Sequence, residues 1–179
     1  MAITKPTVGG STDTWGTTLN TALDELDTRV TAATKVGSVV LHARQTTSQN
    51  ITDSTVAAMT FNIADRNTDA VWSAGSPTRF TPATPGWYQM SGAIAFGANA
   101  TGYRSVYWYL DGVFINGTRV TVGSGGSSYV TVVNARTMPI YIAAASYVTL
   151  VGWQNSGVTL ATGTSVDMHS TMSAIYLGA

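Results

Sequence analysis

The chain has 179 residues, nine Lys+Arg balanced by nine Asp+Glu, and no cysteine. Zero net charge argues against an electrostatic nucleic-acid binder, which carries a basic excess on one face. The lack of cysteine removes disulfide scaffolds, thiol nucleophiles and Cys-based metal sites. Charged residues make up only 10% of the chain, against ~25% in an ordinary soluble domain. Thr, Ser, Asn and Gly take their place, and Thr, the commonest residue, is β-branched and suits a pleated surface. At ~150 residues per domain, the length predicts one mainly β domain with a small appendage.

The first 35 residues differ from the rest. They hold the single Glu, Glu25, and both lysines, Lys5 and Lys35, and open with a polar Pro/Gly stretch, Lys5 to Ser11. No basic start with an apolar run follows Met1, so no secretory signal is expected. Trp15, Leu19, Leu23, Leu26 and Val30 are spaced 4, 4, 3 and 4, which places them on one stripe of a helix over 14–33. Asp13 or Thr14 can cap its first turn, and Arg29 suits its far end. An isolated helix of this length is marginal in water, so the stripe needs a partner. Three are open: a parallel coiled coil with sister chains, another protein, or the chain's own β-domain.

From Val36 the period becomes two. Val39 and Leu41 alternate with Val40 and His42, and after Pro85-Gly86 the residues Tyr88, Met90, Ile94 and Phe96 share one face. In Arg104–Leu110, Val106, Trp108 and Leu110 alternate with Ser105, Tyr107 and Tyr109. Asp111-Gly112 and Asn116-Gly117 are hairpin signals, so Arg104–Leu110, Val113–Ile115 and Arg119–Val122 are expected to form a three-stranded meander. A flexible Gly/Ser loop over 123–128 follows, then runs at Tyr129–Val133, Pro139–Ile142, Tyr147–Trp153 and Val166–Leu177. The expected fold is a mainly β, antiparallel jelly-roll sandwich of roughly eight to ten strands over 36–179, preceded by a short N-terminal α-helix in 1–35. The longest uncharged stretch, Thr137 to Val166, alternates and has no ~20-residue apolar run, so a soluble chain without membrane insertion is expected.

Two segments carry resemblances. The opening TKPTVGGSTDTWGTTLNTALDELD resembles the N-terminal attachment module of bacteriophage tail-fibre, baseplate and other virion-appendage proteins, at Pro6, Gly9, Trp15, Gly16, Leu19, Asn20 and Leu23. Then RFTPATPGWYQMSGAIAF and YRSVYWYLDGVFINGT resemble the head of complement component C one q and its tumour-necrosis-factor relatives, through Pro85-Gly86-Trp87-Tyr88, the Asp-Gly turn and the apolar final strand Ala174–Leu177. The resemblances imply a homotrimeric jelly-roll head on the outer surface of a virion, joined through its N-terminus to other virion proteins. No collagen-like repeat precedes the head, and no acidic cluster carries over a calcium site.

Chemistry is sparse. His42 and His169 lack ligand partners at metal spacing, no Gly-x-Ser-x-Gly elbow is present, and Asp65 with Asp69 reads as a solvated turn beside Arg66. No catalytic residue, cofactor or metal is expected, and the protein is read as non-enzymatic. Tyr107 and Tyr109 lie opposite Trp108, on a face expected to have no intramolecular role. With Leu26 and Val30 they are candidate trimer-interface residues, the other reading being a ligand-facing patch. A host-surface glycan would stack on an aromatic ring and take hydrogen bonds from Asn, Thr or backbone. The loop-like stretches 65–85, 97–102 and 154–164 are the expected places. Two functions stay open: an adhesive fibre or spike tip, and a capsid decoration protein without a host ligand.

Overall fold

The computed structural model describes residues 14–165 and 167–179. Pro6, Gly9 and the cap candidate Asp13 lie outside the described residues, and Trp15 and Gly16 are described only as helical backbone. Helix α1 spans Thr14–Lys35, two residues beyond the expected end. Gly37 stops it with a φ of 79°, a left-handed conformation that glycine adopts without a Cβ clash. The Gly37 amide donates to Tyr176 O at 2.7 Å and the Tyr176 amide to Ser38 O at 3.1 Å. The helix therefore passes straight into the sheet.

The strands run β1 (Val39–Arg44), β2 (Asn50–Ile51), β3 (Ala57–Ala58), β4 (Ile63–Asn67), β5 (Gly86–Phe96), β6 (Tyr103–Leu110), β7 (Val113–Phe114) and β8 (Val120–Gly123). They continue as β9 (Thr131–Asn134), β10 (Met138–Ile142), β11 (Val148–Gln154), β12 (Leu160–Ala161), β13 (Thr164–Ser165), β14 (Met168–His169) and β15 (Thr171–Gly178). One six-stranded antiparallel sheet is ordered β10-β5-β15-β1-β4, with β9 also on β5. The second, five-stranded, is ordered β3-β11-β6-β7, with β8 also on β6. Two short ribbons, β12-β2 and β13-β14, complete the set.

The alternating residues meet between the two sheets. Tyr88, Met90, Ile94 and Phe96 from β5, and Met172, Ala174 and Tyr176 from β15, pack in one core with Val106, Trp108 and Leu150 from the opposite sheet. Gly92 interrupts the β5 series because the Thr171 carbonyl and the Leu150 side chain leave no room for a Cβ. A Cβ there would stand 2.7 Å from Thr171 O and 3.4 Å from the Trp108 ring. The indole N–H of Trp108 donates to Arg136 O at 2.9 Å, so this buried polar atom has a partner.

Several expectations are corrected. A β-bulge between Val39 and Leu41 turns both Val40 and Leu41 inward, against the simple alternation. The meander does not form, because β7 and β8 both pair with β6, at its two ends. Asp111 and Gly112 do have φ of 50° and 78°, as a hairpin turn requires. At Asn116-Gly117 only Gly117 has positive φ, and the chain moves along the same edge of β6 instead of reversing. The expected strand 166–177 is a small hairpin, β13-β14, followed by β15. Asp65 and Arg66 lie in β4 rather than in a loop. Asp65 pairs with Arg44 at 2.8 Å, and Asp69 pairs with Lys35 at 2.7 Å. The second pair ties the end of α1 to the head. Among the described residues, no helix is long and apolar enough to cross a membrane.

Candidate functional site

Three surfaces have functional geometry. The first is the outward face of the five-stranded sheet, where Tyr107 and Tyr109 of β6 pair with Val151 and Thr149 of β11. The expectation that these tyrosines lack an intramolecular role is corrected. Tyr107 is only 2% exposed, lying against Tyr109 at 5.6 Å and Phe114 at 5.5 Å between ring centroids. The Arg119 guanidinium covers it, 4.8 Å from its ring centre and 5.8 Å from that of Trp153. Burial pushes the Tyr107 phenol pKa up, and Arg119 pulls against that shift. A partner chain would find little of Tyr107 to touch; Tyr109 keeps part of its surface.

At the other end of this face, Arg79 stacks on Tyr147, 3.9 Å from guanidinium carbon to ring centre. Beside them lies an open groove of about 290 Å³, lined by Arg79, Tyr109, Tyr147, Thr149, Thr78 and Ala58 among others. Arg79 lies in the stretch 65–85, which was expected to carry ligand contacts. No local pattern links it to Tyr147, since only the chain's return along β11 brings them together.

The second surface is the outward face of the six-stranded sheet. Its central rows carry short side chains, Ser91 opposite Ser173 and Ala93 opposite Thr171, and continue through His42 to Arg66 and to Arg44 respectively. His42 Nδ1 lies 2.7 Å from Ser173 Oγ, while His169 Nδ1 lies 3.1 Å from Ser165 O. Each histidine engages its own neighbour, and the described residues contain no group of three or more His, Cys, Asp or Glu that could hold a metal. At one end Trp87 and Tyr141, 46% and 48% exposed, pack edge to face at 5.6 Å. Val39 and Leu177 are exposed on the same sheet. Alternation puts Trp87 opposite core Tyr88, but whether that outward face stays uncovered depends on segments far away in the chain.

The third surface is α1. Leu26 and Val30 are 49% and 51% exposed, and Leu19 is also exposed. Asn20 and Leu23 are half-buried. The stripe is therefore not covered by the chain's own β-domain, which was one of its three expected partners.

Away from these faces, Arg104 is fully buried with no carboxylate. Its Nη1 donates to the Thr101 and Tyr103 carbonyls and its Nη2 to that of Asn99, while Nε has no partner. Burial lowers its pKa. These carbonyls close the 97–102 loop, which makes Arg104 an internal clamp.

Two antiparallel sheets face to face, with first and last strands adjacent at the centre of the larger one, make this a jelly roll of the tumour-necrosis-factor type. Among solved structures, murine APRIL at pH 8.5 superposes with a TM-score of 0.56 at 11% identity, over 76% of this chain and 98% of that one. Eiger TNF from S. frugiperda gives 0.53 at 7% identity, over 79% and 94%. At these identities the likeness is one of fold. No protein-family model matches the chain, and no curated protein sequence matches it.

Proposed function

We propose that the chain is a non-enzymatic bacteriophage structural protein: a homotrimeric virion appendage, a short tail fibre or spike tip that contacts the host surface or its glycans. The observation that carries this reading is one chain in which an attachment-like opening, Pro6 to Leu23, leads through a helix directly into a jelly-roll head. Pro6, Gly9, Trp15, Gly16, Leu19, Asn20 and Leu23 would contact the neighbouring virion proteins. Leu26 and Val30 would align three chains. The open face of the six-stranded sheet, with Trp87, Tyr141, Val39 and Leu177, supplies the head's self-association surface better than Tyr107 does, because its apolar groups are still exposed. No cofactor, metal or nucleic acid enters this reading.

A capsid decoration protein is the second reading. It is favoured by the exposed apolar groups of α1 and of the six-stranded sheet, since self-association surfaces are all that an ornament needs. Antibody against the head, applied to intact particles of the encoding bacteriophage, separates the two: tail-tip labelling supports adhesion, and capsid labelling supports decoration. Sedimentation tests the assembly. The chain should run at three times 18.7 kDa, and Ser91→Arg, which buries a charge at the centre of the proposed interface, should reduce it to a monomer. A wild-type monomer at micromolar concentration would refute the trimer.

A further inference from the structure

We infer that Asn116 is a site of spontaneous covalent modification, where the side-chain amide is lost through a cyclic imide formed with the Gly117 nitrogen. The inference goes beyond the adhesion and decoration readings and depends on neither.

Asn116-Gly117 is a hairpin sequence that makes no hairpin. The pair occupies the middle of a tight turn in which the Thr118 amide donates to Ile115 O at 3.3 Å. Only Gly117 has positive φ, 79°, as the third residue of a type II turn requires. Both residues are exposed. Outside the chain neighbours, no atom stands within 4 Å of the position that a Gly117 Cβ would take. Among the described residues, the Asn116 side chain has no hydrogen-bond partner and the Gly117 amide donates to none. The amide and the nitrogen that attacks it are therefore both free.

The other asparagines differ. None is followed by glycine, so each has a Cβ beside the attacking nitrogen. The side chains of Asn62, Asn67, Asn99 and Asn155 each accept a hydrogen bond from a backbone amide. Asp111, which also precedes a glycine, has its Oδ1 engaged by the Tyr147 amide at 2.8 Å.

The Gly117 nitrogen gives up its proton and bonds to Cγ of Asn116, the Cγ–Nδ2 bond breaks, and Nδ2 leaves as ammonia. Water then opens the imide. Addition at Cγ restores the normal backbone as aspartate. Addition at the main-chain carbonyl leaves the chain running through the side chain as isoaspartate, one methylene longer. Nothing is oxidised or reduced, and solvent water is the only co-reactant.

The longer product has a structural consequence. Thr118 is fully buried, and its hydroxyl donates to Ile115 O at 2.8 Å and accepts from the Trp108 amide at 3.1 Å. A methylene inserted between Ile115 and Thr118 moves that hydroxyl off Trp108 and leaves a buried N–H without a partner, which is costly. Aspartate only adds a charge at an exposed position and keeps the turn. The site lies between β7 and β8 of the five-stranded sheet, away from the proposed self-association face, so assembly leaves it open to water.

The test ages the full-length protein in mildly acidic and mildly alkaline buffer and maps isoaspartate by peptide mass spectrometry. Asn116 should convert about tenfold faster than Asn62, Asn67, Asn99 and Asn155, whose side chains must first break a hydrogen bond. Conversion should be faster in the alkaline buffer, because the attacking nitrogen must lose a proton. Asn116→Gln, whose imide ring would be one atom larger, should stop conversion at this position, and its aged samples should melt as they did when fresh. Aged wild type should develop a second population of lower melting temperature, whereas fresh Asn116→Asp should melt as wild type does. Conversion at Asn116 no faster than at the bonded asparagines would overturn the modification site. Aged wild type that carries isoaspartate at this position yet melts like fresh protein would overturn the part assigned to Thr118.

Discussion

Replacing Arg104 by Met asks whether a buried cation can be a net stabiliser when its only partners are carbonyls. The guanidinium bonds the carbonyls of Thr101, Tyr103 and Asn99 at 3.0, 3.1 and 3.2 Å. Two effects oppose each other. Taking the ion out of water costs several kcal/mol even after relaxation, a penalty that Met removes and that the unpartnered Nε aggravates. On the other side, hydrogen bonds from a charged group contribute about 1.5–3 kcal/mol each, and three are lost. Asn99 and Thr101 sit in a solvent-accessible loop, so their carbonyls recover part of this from water. The Tyr103 carbonyl still accepts from the Asn155 amide at 3.3 Å. The net expectation is a destabilisation of about 2–3 kcal/mol, or roughly 5–10 °C in Tm for a chain of this size. Urea unfolding followed by tryptophan fluorescence measures it, at one protomer concentration for both proteins because assembly would shift the midpoint. Arg104→Lys should lose at least as much, since one ammonium cannot span three carbonyls and is more strongly hydrated. A Met variant as stable as wild type, or more so, would refute the reasoning and show that the desolvation penalty dominates.

Burial, with the neighbouring Tyr176 and Asp69, raises the Tyr88 phenol to about 12; its hydroxyl donates to Thr84 O at 2.6 Å. A folded-state pKa above the unfolded value of ~10 means that this contribution is complete below pH ~10 and is lost as pH rises through about 12, some 2–3 kcal/mol in all. Urea midpoints at pH 8 and pH 11 should therefore diverge more in wild type than in Tyr88→Phe, which should itself lose about 1 kcal/mol at neutral pH; equal divergence would contradict the assignment. Gly92→Ala drives a methyl group against Thr171 O and Leu150, and the same melts should show a loss of about 1–3 kcal/mol from overpacking.

Much of the architecture was legible because it depends on short-range pattern. The 4-4-3-4 stripe marked α1, and the period-two runs marked β5, β6, β10 and β11, since one face of each of these strands meets the core. The sequence by itself also determined the Asp111-Gly112 turn, whose positive φ at both residues suits Asp and Gly and few others. The two-residue strands β2, β3 and β12 could not be read, because a pair of residues has no period and pairs only where a neighbour's edge is available. Val113–Ile115 and Arg119–Val122 were read as strands and correspond to β7 and β8, but their pairing was not legible: β8 takes the edge of β6 beyond β7 because β6 is much longer than β7. The side chains offered for function divide in the same way. Tyr107 and Tyr109 were correctly placed opposite Trp108, but only the tertiary structure decided that Arg119, Phe114 and Trp153 close over Tyr107, and that Arg79 arrives on Tyr147 from a distant loop. Alternation tells which face of a strand a residue occupies; what covers that face depends on segments far away in the chain, and that information exists only once the two sheets have closed.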